Sequence, residues 1–264
     1  MSGTPTPPTA KPDYGLDAPA VIRNLLLVAG AGLALSGSAA LHWWSGSVPI
    51  PGTPVRIDLV GMGFGFFVLC SVNAVALLSY SKFGKVRARE RLLDRLTWTG
   101  GEAVLDVGCG RGLMLIGAAK RLTTGTATGV DIWQAVDLTG NTAEATLENA
   151  RRDGVASRVK VETADMRNLP FANATFDVVV SCAAIHNVAH RKDREQAIHE
   201  IARVLKPGGR ALISDIRNLA DYARAFARYG CPDNRRVGSW WAWIPATILT
   251  FGSLRPGTVI ARKA

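Results

Sequence analysis

Two long runs carry no formal charge: twenty residues from Leu25 to Trp44 and twenty-two from Leu59 to Tyr80. A bilayer core of ~30 Å needs about 20 apolar residues at ~1.5 Å each, so either run reaches across. Trp43 and Trp44 close the first and Tyr80 closes the second, as aromatics at a membrane interface do. The segment from Ser45 to Pro54 is rich in turn formers and too short for a domain, so it reads as the tip of a hairpin of transmembrane helices over about 22–44 and 57–80. Two other readings exist. A signal peptide would want a basic start and an earlier position than the first run has. Two core helices of a soluble protein would also be apolar. Glycine favours the hairpin: Gly30, Gly32, Gly61, Gly63 and Gly65 are costly in a water-exposed helix, and Gly61-x-x-x-Gly65 has the spacing that lets helix backbones approach in lipid.

Charge orients the hairpin. The net charge is +10, yet the first eighty residues hold only Lys11, Arg23 and Arg56 against Asp13, Asp17 and Asp58. The excess begins at Lys82, Lys85, Arg87, Arg89, Arg91 and Arg95, just past the second run. Positive residues stay on the cytoplasmic side, so both termini and the downstream domain are expected there. Residues 81–97 read as a basic juxtamembrane linker helix, with Val86, Leu92, Leu93 and Leu96 towards the domain and membrane lipids as partners at about 1 kcal/mol per basic residue. A solvated face with no partner is the plainer reading. Residues 1–20, rich in Pro and Thr, read as a disordered tail. Cys70, Cys109, Cys182 and Cys231 show no C-x-x-C spacing, so neither a zinc knuckle nor a disulfide scaffold is encoded. Cys182 and His186 lie close but lack further ligands at metal-site spacing.

Residues 98–264 alternate short β-rich and helical runs. Strands are predicted at 103–107, 126–130, 159–162, 176–180 and 210–214, and helices at 113–122, 144–153 and 196–205. This alternation predicts an α/β fold, a doubly wound, mainly parallel sheet covered by helices, with ligands beyond the carboxyl ends of its strands. The first strand runs into Gly108-Cys-Gly-Arg-Gly112 and then a helix. The spacing is G-x-G-x-G; a dinucleotide fingerprint needs a glycine at 113, where Leu stands, which argues against a hydride-transfer reductase. Asp131 ends the second strand, about 20 residues on, where an acid accepts from ribose hydroxyls. Asp165-Met166 follows the third, offering an acceptor for an exocyclic amine and a thioether for a ring face. Lys206-Pro-Gly-Gly209 reads as a helix stop and turn.

With these motifs in this order, residues 98–215 resemble the class I S-adenosylmethionine-dependent methyltransferases, in particular the branch with D-V-G-C-G-x-G and L-K-P-G-G motifs that acts on quinones, sterols and other small molecules. The resemblance implies a seven-stranded Rossmann-like sheet and S-adenosyl-L-methionine as cofactor. It implies that Asp106, Gly108, Cys109, Gly110 and Gly112 hold the amino-acid end, Asp131 and Ile132 the ribose, Asp165 and Met166 the adenine, and that Ser181 faces the methionine ammonium. This chain departs from the pattern after Asp131. A longer polar and aromatic insert offers Trp133 or Gln134 as an adenine cover and Asp137 as a second ribose acid, while Asn141-Thr-Ala-Glu144 reads as a helix cap.

A sulfonium methyl is already activated, so catalysis asks mainly for alignment and exclusion of water, plus a base where the acceptor carries a proton. His186, after the fourth strand, is the candidate base; a residue bonded to a backbone carbonyl is the plainer reading. Residues 218–229 place Leu219, Tyr222, Ala223 and Phe226 on one helical face. Trp240-Trp241-Ala-Trp243 and the residues to Phe251 read as strand six pairing with 258–262, or as a greasy surface. The expectation is a membrane-anchored methyltransferase for a small hydrophobic acceptor, with no nucleic-acid partner and an undecided oligomeric state. A soluble small molecule or protein as acceptor, or a non-catalytic cofactor-binding scaffold, are the alternatives.

Overall fold

The computed structural model describes residues 10–134, 138–238 and 255–264. They form two compact units: Gly15–Lys85 with Leu138 and Thr139, and the remainder.

The first unit is a helical hairpin. Helix α1 spans Pro19–Ala40, with Pro at its first turn, where a missing N–H costs nothing. A two-stranded ribbon, β1 (Ser47–Pro49) against β2 (Arg56–Asp58), forms the tip. Helix α2 spans Leu59–Ser79, and Asp58 caps it by accepting from the Val60 and Gly61 amides at 3.0 Å each. A π-helical turn, Tyr80–Gly84, continues it. Both helices are long and apolar enough to cross a membrane. They meet where Gly32 faces Gly63: a Cβ on Gly32 would stand 2.4 Å from the Gly63 carbonyl oxygen. The Ser36 hydroxyl donates to the Val60 carbonyl at 2.8 Å beside this contact. The crossing therefore does not use Gly61 and Gly65. A Cβ on Gly61 would meet only the capping Asp58, and one on Gly65 meets nothing within 4 Å. Large apolar side chains point outward instead, among them Leu26, Leu27, Leu33, Phe64, Val72 and Val75.

At the other end of the hairpin, Asp17 accepts from the Ser81 hydroxyl (3.1 Å) and from Lys85 Nζ (3.2 Å), and Lys85 also donates to the Gly15 carbonyl at 2.6 Å. Residues 10–20 are thus not a disordered tail. Tyr14 is buried, its hydroxyl donating to Asp153 (3.0 Å) and accepting from Arg89 (3.1 Å), and the Asp13 amide donates to Asn149 at 2.9 Å. Polar partners scattered along the chain, rather than an apolar period, hold this segment. Residues 1–9 lie outside the described residues.

The second unit opens with helix α3 (Lys85–Leu93), whose Leu93, together with Leu96 beyond it, enters the core as expected of an inward face. The basic residues from 82 to 95 divide: Lys85 and Arg89 are buried in ion pairs, while Lys82, Arg87, Arg91 and Arg95 are exposed. Then come β3 (Ala103–Val107), α4 (Leu113–Ala119), β4 (Thr126–Asp131), α5 (Ala143–Arg152), β5 (Val159–Thr163), β6 (Phe176–Cys182), α6 (Arg191–Val204), β7 (Leu205–Asp215), α7 (Leu219–Arg228), β8 (Asp233–Val237) and β9 (Gly257–Arg262). The sheet order is β5-β4-β3-β6-β7-β9-β8, parallel except for the two pairings of β9. The strand order reverses between β3 and β6, the switch point at which such sheets bind ligands.

Lys206-Pro-Gly-Gly209 lies within β7, where Gly208 has φ +77° and the pairing with β6 shifts register between Phe176 and Val178; the irregularity of a bulge stands in place of a separate turn. The partner of β9 on its outer side is β8, which carries Arg235 and Arg236, because an edge strand tolerates charge on its open face. Residues 240–251, expected there, lie outside the described residues. The core has two layers. Leu105, Val107, Val179 and Ile213 pack with α6 and α7, whereas Val104, Val178, Val180 and Leu212 pack with Leu115, Ile116 and Leu93. β3 sends Val104 and Asp106 to the same face, since alternate residues of a strand do.

Candidate active site

The turn after β3 is built on the end of β4. The Gly108 and Cys109 amides both donate to the Val130 carbonyl (2.8 and 3.0 Å), and the Gly110 amide donates to Asp131 Oδ2 at 2.8 Å. Gly110 has φ +53° and Gly108 φ +71°, the left-handed region that other residues enter at a cost. Space is as restrictive as angle at Gly108, where a Cβ would stand 2.3 Å from the Ala184 Cβ and 3.6 Å from Met166 Cε. The backbone here is therefore bare by necessity, and Met166 and the turn after β6 come together over it. Cys109 contributes backbone only: its side chain is buried and burial pushes the thiol well up, away from reactivity.

Asp106 lies directly beneath, 1% exposed, and neither of its carboxylate oxygens has a hydrogen-bond partner of good geometry among the described residues. Burial pushes its pKa up from 3.8 to about 8; the Leu115 N–H opposes this and the charge of Asp131 adds to it. A buried, unsatisfied acid at the switch point is an unpaid desolvation penalty that a cationic ligand group would relieve.

Asp131 is held on both oxygens. Oδ1 accepts from the Trp133 amide (2.7 Å) and from Asn141 Nδ2 (3.3 Å), and Oδ2 from Gly110. Both lone pairs of Oδ1 are thereby used, and Oδ2 keeps one for a hydroxyl. Trp133 has φ +60° and its indole donates to Thr163 at 2.8 Å, so the insert folds back over the ends of β4 and β5. Ile132 is exposed beside it. Asp137 lies outside the described residues. Asn141 is not the helix cap: Thr142 caps α5, accepting from the Ala145 amide at 3.1 Å. Asn141 instead reaches inward, donating also to the Gln134 carbonyl (3.2 Å), and its buried Oδ1 has no partner among the described residues.

Asp165 is clamped by Arg167, whose Nε lies 3.0 Å from both oxygens and whose amide adds 2.9 Å; that guanidinium holds the carboxyl below the usual range. The Ser181 hydroxyl is buried and donates to the Val107 carbonyl at 2.7 Å, bracing the ends of β3 and β6 rather than pointing at open space. His186 sits in the short turn Ile185–Asn187 after β6, its Nδ1 2.5 Å from Asp215. Its ring partner is thus a carboxylate, not the backbone carbonyl of the plainer expectation.

Two residues that the motifs did not mark complete the turn. Thr146 on α5 donates to the Gly110 carbonyl (2.6 Å), and Asn149 to the carbonyls of Arg111 (3.0 Å) and Asp13 (2.8 Å). Their only sequence signal is i, i+3 spacing of polar residues on an amphipathic helix.

The donor set fits the sulfonium nucleoside. Asp106 offers a buried carboxyl that an ammonium would ionise, Asp131 and Asn141 offer acceptors for hydroxyls, and the bare Gly108 backbone allows close approach.

A family model described as "Methyltransferase domain" matches residues 105–213. The methyltransferase GfsG of Streptomyces halstedii is 38% identical over 148 residues, 55% of this chain and 50% of that protein. The ubiquinone/menaquinone biosynthesis C-methyltransferase UbiE of Geobacter sulfurreducens is 34% identical over 128 residues, 48% of this chain and 46% of that one. The chain spans about half the length of these curated relatives. Among solved structures, geranyl diphosphate C-methyltransferase of Streptomyces coelicolor, bound to S-adenosyl-L-homocysteine, has the same fold with a TM-score of 0.54, at 18% identity, covering 67% of this chain and 76% of that chain. Residues 105–213 thus match a methyltransferase domain, and the sheet that contains them has the fold of the S-adenosylmethionine-dependent methyltransferases.

Proposed function

We propose that the chain is a membrane-anchored methyltransferase that moves the methyl group of S-adenosylmethionine to a small hydrophobic acceptor, a quinone, sterol or other lipid-like molecule. When bound, the cofactor supplies an activated methyl on sulfur. Asp106 would hold its ammonium, Asp131 and Asn141 its ribose hydroxyls, and Met166 and Asp165 its adenine. The chain's own task is to align donor and acceptor and to keep water out.

One observation carries the anchoring. The two apolar helices touch through Gly32, Gly63 and Ser36 and turn their large side chains outward, with only 22% and 17% of their most apolar windows buried. A core helix of a soluble protein buries such residues; a lipid-facing helix exposes them and packs through small ones. The exposed Lys82, Arg87, Arg91 and Arg95 support a cytoplasmic placement of the sheet unit against anionic head groups. A tether raises the effective concentration of an acceptor that resides in the bilayer, which a water-soluble acceptor would not need.

Two measurements test this. The full chain expressed in membranes should resist extraction by alkaline carbonate, and the detergent-purified chain should bind S-adenosylhomocysteine by calorimetry. Release by carbonate removes the anchor; absence of binding removes the enzyme.

A further inference from the structure

Asp215 ends β7 with its side chain 1% exposed, and its carboxylate collects a full set of donors. Oδ1 accepts from the Ile216 amide (2.7 Å) and meets His186 Nδ1 at 2.5 Å. Oδ2 accepts from the His186 amide (3.0 Å) and the Tyr222 hydroxyl (3.1 Å). Burying an ionised carboxylate is tolerable only when its lone pairs are used in this way. The turn after β6 is therefore tied to one carboxylate twice, by amide and by ring. A carboxylate only accepts, so in the neutral ring the hydrogen sits on Nδ1 and the lone pair on Nε2. Nε2 has no hydrogen-bond partner among the described residues, and the His186 side chain retains 12% exposure. Tyr222 does not compete as a base: burial first, then the charge of Asp215, pushes its hydroxyl far up, so it stays a donor. The remaining charged neighbours are Arg194, near Tyr222, and Arg217, whose Nη2 lies 3.4 Å from the His186 carbonyl oxygen.

We infer that His186 is a general base, that Asp215 is its positioning residue, and that the acceptor presents a hydroxyl group on which the methyl lands. This rests on the methyltransferase reading above. Nε2 takes the hydroxyl proton while the acceptor oxygen bonds to the methyl carbon. The carbon–sulfur bond breaks with its electron pair left on sulfur. The products are a methyl ether and S-adenosylhomocysteine, and the imidazolium returns its proton to water. A base so fixed is of use where a proton must leave as the methyl arrives.

The test uses the full chain in detergent as wild type, His186→Gln and Asp215→Asn, with a native membrane lipid extract as acceptor source and methyl-labelled S-adenosylmethionine. Binding of S-adenosylhomocysteine is expected to stay within about twofold in all three. The wild-type product should lose its label to boron tribromide, which cleaves methyl ethers and leaves C-methyl groups. His186→Gln should slow transfer by about 10²-fold or more. Asp215→Asn should slow it by about tenfold or more and displace the rising limb of the pH–rate profile, with an unchanged KM for the donor. Label stable to boron tribromide, a wild-type rate in His186→Gln, or an unmoved pH profile in Asp215→Asn overturns the inference while leaving a methyltransferase. If Asp215→Asn does not fold, nitrogen NMR of the wild-type imidazole decides, since a hydrogen found on Nε2 rather than Nδ1 overturns it. Absence of cofactor binding, or of any label in the wild type, overturns the underlying reading and the inference with it.

Discussion

Asp106→Asn replaces a buried acid by a neutral group of the same shape, and its effect can be worked out from the surroundings. Burial lifts the folded-state pKa from 3.8 to about 8. Between these values the folded chain binds a proton that the unfolded chain releases, so stability falls as pH rises through this window. At about 1.4 kcal/mol per pH unit, the unliganded wild type should lose about 3 kcal/mol between pH 5 and pH 7 from this group alone. Asp106→Asn removes that slope. Ligand binding is coupled to the same proton. A ligand ammonium beside Asp106 favours the carboxylate, and at pH 7 about nine sites in ten still hold the proton to be expelled. Calorimetry of S-adenosylhomocysteine binding in two buffers of different ionisation enthalpy should show close to one proton released at pH 7. Affinity should rise by nearly tenfold per pH unit from about 6 to 7.5 and flatten above 8. Asp106→Asn should show no proton release and weaker binding at pH 8. Identical, buffer-independent heats for the two proteins would show that Asp106 holds no proton to expel.

Other perturbations bear on other parts of the chain. Gly32→Leu should force the hairpin helices apart and destabilise it by about 1–3 kcal/mol, whereas Gly65→Leu should be neutral, as judged by thermal aggregation in detergent. Asn141→Ala should weaken S-adenosylhomocysteine binding several-fold while leaving the unfolding midpoint nearly unchanged, because it frees Asp131 rather than emptying the core. Tyr14→Phe should cost about 1–2 kcal/mol in denaturant unfolding, since Arg89 and Asp153 lose their shared buried partner.

What could be read from the sequence was local. Strand β3 is a continuous apolar run ending in glycines, so its position, the turn after it and the acid ending β4 follow from neighbouring residues. The parallel sheet follows from the alternation of such runs. The rest depends on contacts between distant segments. Spacing within one helix marks Gly61 and Gly65 as well as Gly63, and only the path of α1 selects Gly63. Asn141 and Thr142 are equally good caps by composition, and the bond to Asp131 separates them. Asp215 and His186 are twenty-nine residues apart and carry no shared motif. A Pro- and Thr-rich beginning hides Asp13 and Tyr14, whose partners lie far along the chain, on α3, on α5 and just after α5.

The most direct test of the account is methyl transfer in the membrane itself. Full-length chain reconstituted into native-lipid vesicles, given labelled S-adenosylmethionine and then extracted with organic solvent, should place the label in the organic phase at a rate proportional to enzyme. Label confined to the aqueous phase or to protein, or no label at all in vesicles where S-adenosylhomocysteine still binds, would contradict it.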